Sequence, residues 1–420
     1  MIMIESPSRV RDHREIGRAM GVFAGHPDVG SGLPLWLPAG AVIRRELEEF
    51  AREVAIASGC QPVYSPVLGK RALFERSGHW EKFSDDMFPP MPVGGDQLVL
   101  RPANCPHHAM IYAAEQHSYR ELPVRYNELA PMFRAERSGS VSGLSRVRQI
   151  SLDDTHVFCR PDQLRAEVVL AMEALLDAFG VLGIEVDHLR LSGRDDGPGY
   201  LGSVDQWQHA EEELRRAMAE LGLDGRGLSW CEVAGEAAFY GPKIDVQVLD
   251  AAGREESIAT VQLDFNQPER FDLCYTGADG SAQRVIMIHR GVIGAMERMT
   301  AFLLEAYDGR LPIWLAPVQL CLLPVGDSAL AAAEQAAESL RRRGIRVRLQ
   351  PDGSLGRRIQ DSRARRDALI GVIGDSEAAA AEITVDDPAS GVRARLQVAR
   401  LAESIMDAVS RRDRRVDLET

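Results

Sequence analysis

Apolar residues recur at helical spacing over residues 9–24, RVRDHREIGRAMGVFA, and again from Ala41 to Ser58. Between them Pro38 and Gly40 are expected to break the chain, and Gly59 closes the second helix. QPVYSPVL then reads as a strand, and Leu98 to Tyr112 as a strand, a Pro-bounded turn and a helix start. From Leu122 to Arg160, two β-prone runs, RYNELAPMF and RQISLDDTHVF, flank a loop rich in Ser, Gly and Arg, the pattern of a hairpin with a long polar turn. Residues 161–191 predict a long helix, with Pro161 near its start and Gly183 at its end, leading into the strand IEVDHLRLS. Trp207 to Leu221 follows as another helix. EAAFYGPKIDVQVLD and SIATVQLDF alternate apolar and polar residues, which suggests antiparallel strands about a turn at Ala251–Gly253. RVIMIHRGVIGAMERMTAFLLEAY is a strand running into an amphipathic helix.

Beyond LPIWLAPVQ the style changes to strands alternating with helices, the signature of a compact α/β domain with a mixed or parallel sheet. A boundary is therefore expected near Pro312–Pro317, which suits a chain of 420 residues. Composition is that of an ordinary globular protein, 45% hydrophobic and 26% charged. No apolar run reaches membrane-spanning length, and MIMIESPSRVRDHR lacks a signal-peptide core, so a cytoplasmic location without membrane attachment is expected. The six cysteines (60, 105, 159, 231, 274, 321) have no CxxC spacing, which points to neither a disulfide framework nor a zinc ribbon. A net charge of −13 argues against indiscriminate nucleic-acid binding. The segment from Ala316 onward, however, carries 17 Arg against 16 Asp and Glu, so it could meet RNA locally.

Candidate chemistry concentrates in the hairpin. Arg134 and Glu136 sit two apart and are expected to share one strand face, with Arg146 and Arg148 repeating this on the return and Asp153, Asp154 and His156 following. Fixed guanidiniums suit bidentate binding of phosphate or carboxylate, which suggests a polyanion held beside a small amine or metal. A salt-bridged surface ribbon is the other reading of the same residues. Elsewhere, Cys105 in its turn with His107 and His108 beside it reads as an inert buried thiol unless partners converge on it. His79, next to Trp80 in a Gly-containing loop, reads as packing. GRDDGPGYLGS lacks the lysine of a phosphate-binding P-loop and reads as a plain loop.

Seven blocks in order carry a resemblance: ANCPHH, FRAERSGSVSGLSRVR, DDTHVFC, FYGPKID, TVQLDF and IHRGVIGAMER, preceded by RDHREIG. Together they resemble the threonyl-tRNA synthetases, a class II aminoacyl-tRNA synthetase family, over nearly the whole chain. The resemblance implies an α+β fold: a class II antiparallel sheet flanked by helices over residues 1–313, then an α/β anticodon-binding-type domain over residues 314–420. It implies activation of threonine by ATP with Mg²⁺ and transfer to tRNA(Thr), in a homodimer with the helix around Ala41–Ser58 and the strand through Pro66 at its interface. Cys105, His156 and His289 match zinc ligands whose open fourth position takes the amino and hydroxyl groups of threonine. Asp154, Tyr240 and Gln262 match residues around the amino acid, and Arg134, Glu136, Arg146, Lys243 and Arg298 match residues around ATP. His79 matches a histidine implicated in transfer to the tRNA 3′ end. Arg134, His79 and Arg298 are thus the implied catalytic residues.

The chain also departs from the family pattern. The resemblance starts near the first residues, so a short form without the N-terminal editing domains is expected, with serine activated and seryl-tRNA not hydrolysed in cis. Leu152 and Ser257 stand at family glutamines, Ala295 stands at a serine, and Asp386 and Asp387 fall in a usually basic stretch. These exchanges leave room for a paralogue acting on another β-hydroxy amino acid, serving a non-tRNA acceptor or conferring inhibitor resistance, or for a weakly catalytic regulatory homologue.

Overall fold

The computed structural model describes residues 11–197 and 199–418. Residues 9 and 10 of the expected first helix, most of the stretch read for a targeting signal, and Pro198 of the glycine-rich loop lie outside the described residues. The first helix, α1, runs His13–Met20, and the second, α2, runs Pro38–Ala57. Pro38 begins α2 rather than breaking the chain, because a first-turn residue needs no N–H partner. Gly40 lets the helix lie against backbone: a Cβ there would stand 2.1 Å from the Val22 carbonyl oxygen.

The large domain is built on an eight-stranded sheet. In chain order its strands are β1 (Gln61–Pro62), β2 (Val124–Phe133), β3 (Gln149–Cys159), β4 (His188–Gly193), β5 (Ser229–Ala234), β6 (Lys243–Leu249), β7 (Glu255–Asp264) and β8 (Ile286–Gly291). The spatial order is β5-β4-β6-β7-β8-β3-β2-β1, with parallel pairing only at the two edges. Strands β2 and β3 form the expected hairpin, in register from Val124↔Phe158 to Phe133↔Gln149. The domain's longer helices after α2 are α3 (Cys105–Ala113), α4 (Leu164–Leu182), α5 (Val204–Glu220) and α6 (Met296–Ala306). Alternation along the strands sorts the two faces. Val157 and Cys159, Ile244 and Val246, Val261 and Leu263, and Ile286 and Ile288 pack with α2, α4, α5 and α6 into the main core. The intervening residues Asp154 and His156, Gln262 and Asp264, and His289 therefore point to the opposite face.

Several expectations are corrected. Only Gln61 and Pro62 of QPVYSPVL join the main sheet, and Leu68–Lys70 pairs instead with Asp96–Leu100 in a separate three-stranded sheet. The long helix after Pro161 is a 3₁₀ turn followed by α4, and β4 begins at His188. Strand β6 starts at Lys243, while Ala238 and Gly241 close a turn before it. The parallel edge strand β5 went unrecognised because nearly all of its residues are solvent-exposed, leaving no alternation to read.

The C-terminal domain holds β9 (Leu320–Pro324), α7 (Leu330–Arg342), β10 (Val347–Leu349), α8 (Leu355–Ala364), β11 (Leu369–Ile373), β12 (Glu382–Asp386), β13 (Arg393–Gln397) and α9 (Val398–Ser410). Its sheet is mixed, in the order β10-β9-β11-β12-β13, with the first three strands parallel. It has its own core, in which Ile313 takes part, whereas Trp314 and Leu315 pack into the main core. The Arg412 guanidinium lies over the rings of Phe50 and Trp314 at 5.0 and 4.7 Å, and Arg346 pairs with Glu46 at 3.1 Å. Among the described residues no helix is long and apolar enough to cross a membrane.

Candidate active site

On the face opposite the main core lies a cavity of about 660 Å³. It is lined at one end by Cys105, Asp154, His156, Tyr240, Gln262 and His289, and at the other by Arg134, Glu136, Arg146 and Arg298. Two registers build the inner end. His156 on β3 stands directly across from His289 on β8, and His289 across from Gln262 on β7. Cys105 reaches them as the first residue of α3, not from a turn, with Pro106 in the first helical turn.

The donor atoms of Cys105, His156 and His289 all lie within 4.8 Å of one another. His156 Nε2 and His289 Nδ1 face each other at 3.1 Å. Tetrahedral zinc, with bonds of ~2.0–2.3 Å, sets neighbouring donor atoms roughly 3.3–3.6 Å apart, so this geometry fits that ion. Each imidazole is also oriented from behind. His289 Nε2 meets the buried Asp264 carboxylate at 3.1 Å, which directs Nδ1 towards the cavity as a lone-pair donor. His156 Nδ1 meets His108 Nδ1 at 2.8 Å, and His108 Nε2 in turn meets Glu128 at 3.3 Å. Burial, with His289 and His108 alongside, holds His156 well below its ordinary pKa, and burial pushes the Cys105 thiol well up.

Around these donors sit the other inner residues. Burial, helped by Asp153 and Glu128, pushes the Asp154 carboxyl up to about 8, and a bound cation or ammonium would favour its charged form. The Tyr240 ring stacks on His289 with centroids 4.9 Å apart, and its hydroxyl donates to Gln262 Oε1. His79 is on the first turn of a short helix, His79–Phe83, rather than in a loop, with Nε2 3.6 Å from Cys105 Sγ and Nδ1 2.8 Å from Ser77 Oγ. Burial lowers its pKa to about 4, so it is neutral at ordinary pH.

The outer end is different. Arg134, Glu136, Arg146 and Arg148 belong to the connection between β2 and β3, not to the strands, because the ladder ends at Phe133↔Gln149. Arg146 pairs with Glu136 at 2.8 Å and is mostly exposed, and Arg134 is exposed without an ion-pair partner among the described residues. Arg298, on the first turn of α6, approaches Glu256 only to 3.7 Å. Two residues of the hairpin turn out to be structural. Arg148 ties the connection together through the Glu136 and Ser31 carbonyls. Asp153 accepts from the backbone N–H groups of Val292 and Ile293, pinning the turn between β8 and α6. Lys243 does not line the cavity; its amine is held 2.9 Å from the buried carboxylate of Asp245.

Glu128 and Asp264 were missed in the sequence, and His108 was noted beside Cys105 without a role; all three act from behind the lining residues. The i, i+3 pairing of Cys105 with His108 on one helix face is the signal that could have given His108 its role.

Residues 92–307 match the family model for the tRNA synthetase class II core domain (G, H, P, S and T). The chain belongs to that family. Residues 319–407 match an anticodon binding domain. Over 375 residues this class II synthetase chain is 47% identical to a threonine--tRNA ligase of Bacillus velezensis, covering 88% of this chain and 58% of that one. Threonine--tRNA ligase 1 of Bacillus subtilis is 46% identical with the same coverage. The chain thus spans 58% of the length of these curated relatives. Among solved structures, the RNA binding domain of threonyl-tRNA synthetase from Cryptosporidium parvum superposes with a TM-score of 0.88 at 33% identity, covering 94% of this chain and 98% of that one.

Proposed function

We propose that this class II synthetase activates L-threonine with ATP and Mg²⁺ to threonyl-adenylate and transfers it to tRNA(Thr). The observation that carries this reading is a single cavity joining a buried Cys105, His156 and His289 triad to an arginine-rich outer end. Curated relatives bearing the name threonine--tRNA ligase support it. We assign residues 1–313 to catalysis and residues 314–420 to anticodon binding, in a cytoplasmic homodimer formed through the region of α2.

Cys105, His156 and His289 would hold a zinc ion, which when bound supplies a Lewis-acid contact for the amino and hydroxyl groups of threonine. Asp154 accepts from the substrate hydroxyl, and Tyr240, braced by Gln262, closes the pocket beside the amine. A carboxylate oxygen of threonine attacks the α-phosphorus of ATP, forming the mixed anhydride as pyrophosphate leaves. Arg134 and Arg298 stabilise the charge that develops on the phosphate oxygens, while Glu136 and Arg146 orient the nucleotide. Lys243 compensates the charge of the buried Asp245 carboxylate on its own strand. The terminal ribose hydroxyl of tRNA then attacks the adenylate carbonyl and AMP leaves, with neutral His79 next to that centre.

Threonine-dependent exchange of pyrophosphate into ATP tests this. Exchange above the rate without amino acid is expected, and its absence with threonine and with other β-hydroxy amino acids would overturn the proposal.

A further inference from the structure

Far from the inner cavity, α1 places His13 against the β2–β3 connection. His13 is buried, and both of its ring nitrogens are engaged. Nε2 accepts from the backbone N–H of Leu144 at 3.2 Å, which leaves the proton on Nδ1, and Nδ1 donates to Glu305 Oε1 at 2.7 Å. The same carboxylate oxygen accepts from the His13 backbone N–H at 2.9 Å. Asp12, His13 and Glu305 form a cluster that could be read as a cation site. Since both imidazole nitrogens are satisfied, and Asp12 is occupied by the N–H and guanidinium of Arg14, a cation has no lone pair left to recruit from His13.

The two anchors of His13 lead to the two sides of the outer cavity. Leu144 is fully buried, lines the cavity and lies between Glu136 and Arg146 on the connection. Glu305 lies at the end of α6 whose first turn carries Arg298. Gly143, next to Leu144, has φ +50°, and a Cβ there would stand 2.3 Å from His13 Nε2 and 2.8 Å from Arg14 Cγ. The connection is therefore seated on α1 by close backbone approach as well as by a hydrogen bond.

We propose that His13, braced by Glu305, is a positioning residue that holds the Arg134–Arg148 connection and α6 in the relative placement that binds the nucleotide. This rests on the reading of the outer end as the ATP site. His13 touches no substrate and acts through the backbone at Leu144.

The test measures the KM of ATP and of threonine in pyrophosphate exchange, with the Kd of ATP determined separately by calorimetry and folding checked by Tm. His13→Ala is expected to raise both ATP constants about tenfold, with the threonine KM within about twofold of wild type. His13→Gln, which keeps an acceptor for Leu144 and a donor for Glu305, is expected to recover most of the loss. Gly143→Ala, which keeps His13 but displaces the connection, is expected to reproduce the His13→Ala effect and serves if His13→Ala does not fold. Unchanged ATP constants in either folded variant, equal losses for ATP and threonine, or a His13→Gln variant no better than His13→Ala would overturn the proposal. A wild-type chain that binds ATP yet exchanges no amino acid would refute the proposed function, while the calorimetric comparison would still decide this one.

Discussion

At its inner end the cavity is walled by side chains that are buried and oriented by one another, with Asp264 behind His289 and His108 and Glu128 behind His156. At its outer end Arg134, Arg146 and Arg298 are exposed, and the first two are carried by an irregular connection. On the proposed function the contrast follows from what each end binds. A small amino acid offers few contacts, so discrimination requires a donor set fixed in advance, with the cost of orientation met in folding. A nucleotide triphosphate brings several charges, and solvent-exposed arginines can pair with them when it arrives. The inner end should therefore fail abruptly when altered and the outer end gradually.

The largest expected break is at the inner end. Cys105→Ala should abolish stoichiometric zinc and lower threonine activation by about 10³-fold or more, as metal analysis and pyrophosphate exchange would show. Retention of both would remove the ligand assignment. At the outer end Arg134→Ala should cost about 10²-fold in kcat/KM with Tm unchanged, and Arg134→Lys should not restore it, because a point charge lacks the bidentate fork. A Tm loss comparable to that of an inner-end variant would contradict the contrast.

Between these lies the layer behind the proposed metal ligands. Glu128→Gln should weaken zinc binding about 10–100-fold while leaving the ATP KM unchanged, measured by competition with a chelator. Glu128 also makes the inner end sensitive to acid. Burial raises its pKa, but hydrogen bonds from His108 and Ser65 and the Arg101 guanidinium outweigh this and bring it down to about 2. A depressed carboxylate contributes stability that is present above its unfolded value near 4.5 and lost as pH falls through about 2. Denaturation between pH 5 and pH 2 should thus be less steep for Glu128→Gln than for wild type, and parallel curves would count against the network. The smallest effect concerns the pair of exposed Arg146 with Glu136, where Glu136→Gln should change the unfolding free energy by less than about 1 kcal/mol, measured by thermal denaturation.

How much of this was legible follows the same division. The two β-prone runs of the hairpin were readable, but only the observed register puts Asp154 and His156 on one face and the core residues Val157 and Cys159 on the other. The convergence of Cys105, His156 and His289 came only through resemblance, since their sequence separation gives no spacing motif. Arg134 and Arg146 were misplaced onto strands because nothing in their residue types marks where the β2–β3 ladder ends. His79 in a helix and the edge strand β5 were missed because short, mostly exposed elements carry little periodicity. His13 falls in the resembling block RDHREIG, but its role was not readable there, because its partners Leu144 and Glu305 are brought to it only by the fold.

The central claim is that the buried donor set reads the hydroxyl of the substrate. Amino-acid-dependent pyrophosphate exchange by the zinc-loaded chain, compared across threonine, serine and valine, tests it most directly. Threonine should be activated, serine should follow within roughly 10–200-fold because only one methyl separates them, and valine should fall below threonine by roughly 10⁴-fold for want of a hydroxyl. Valine activated as readily as serine would contradict the account.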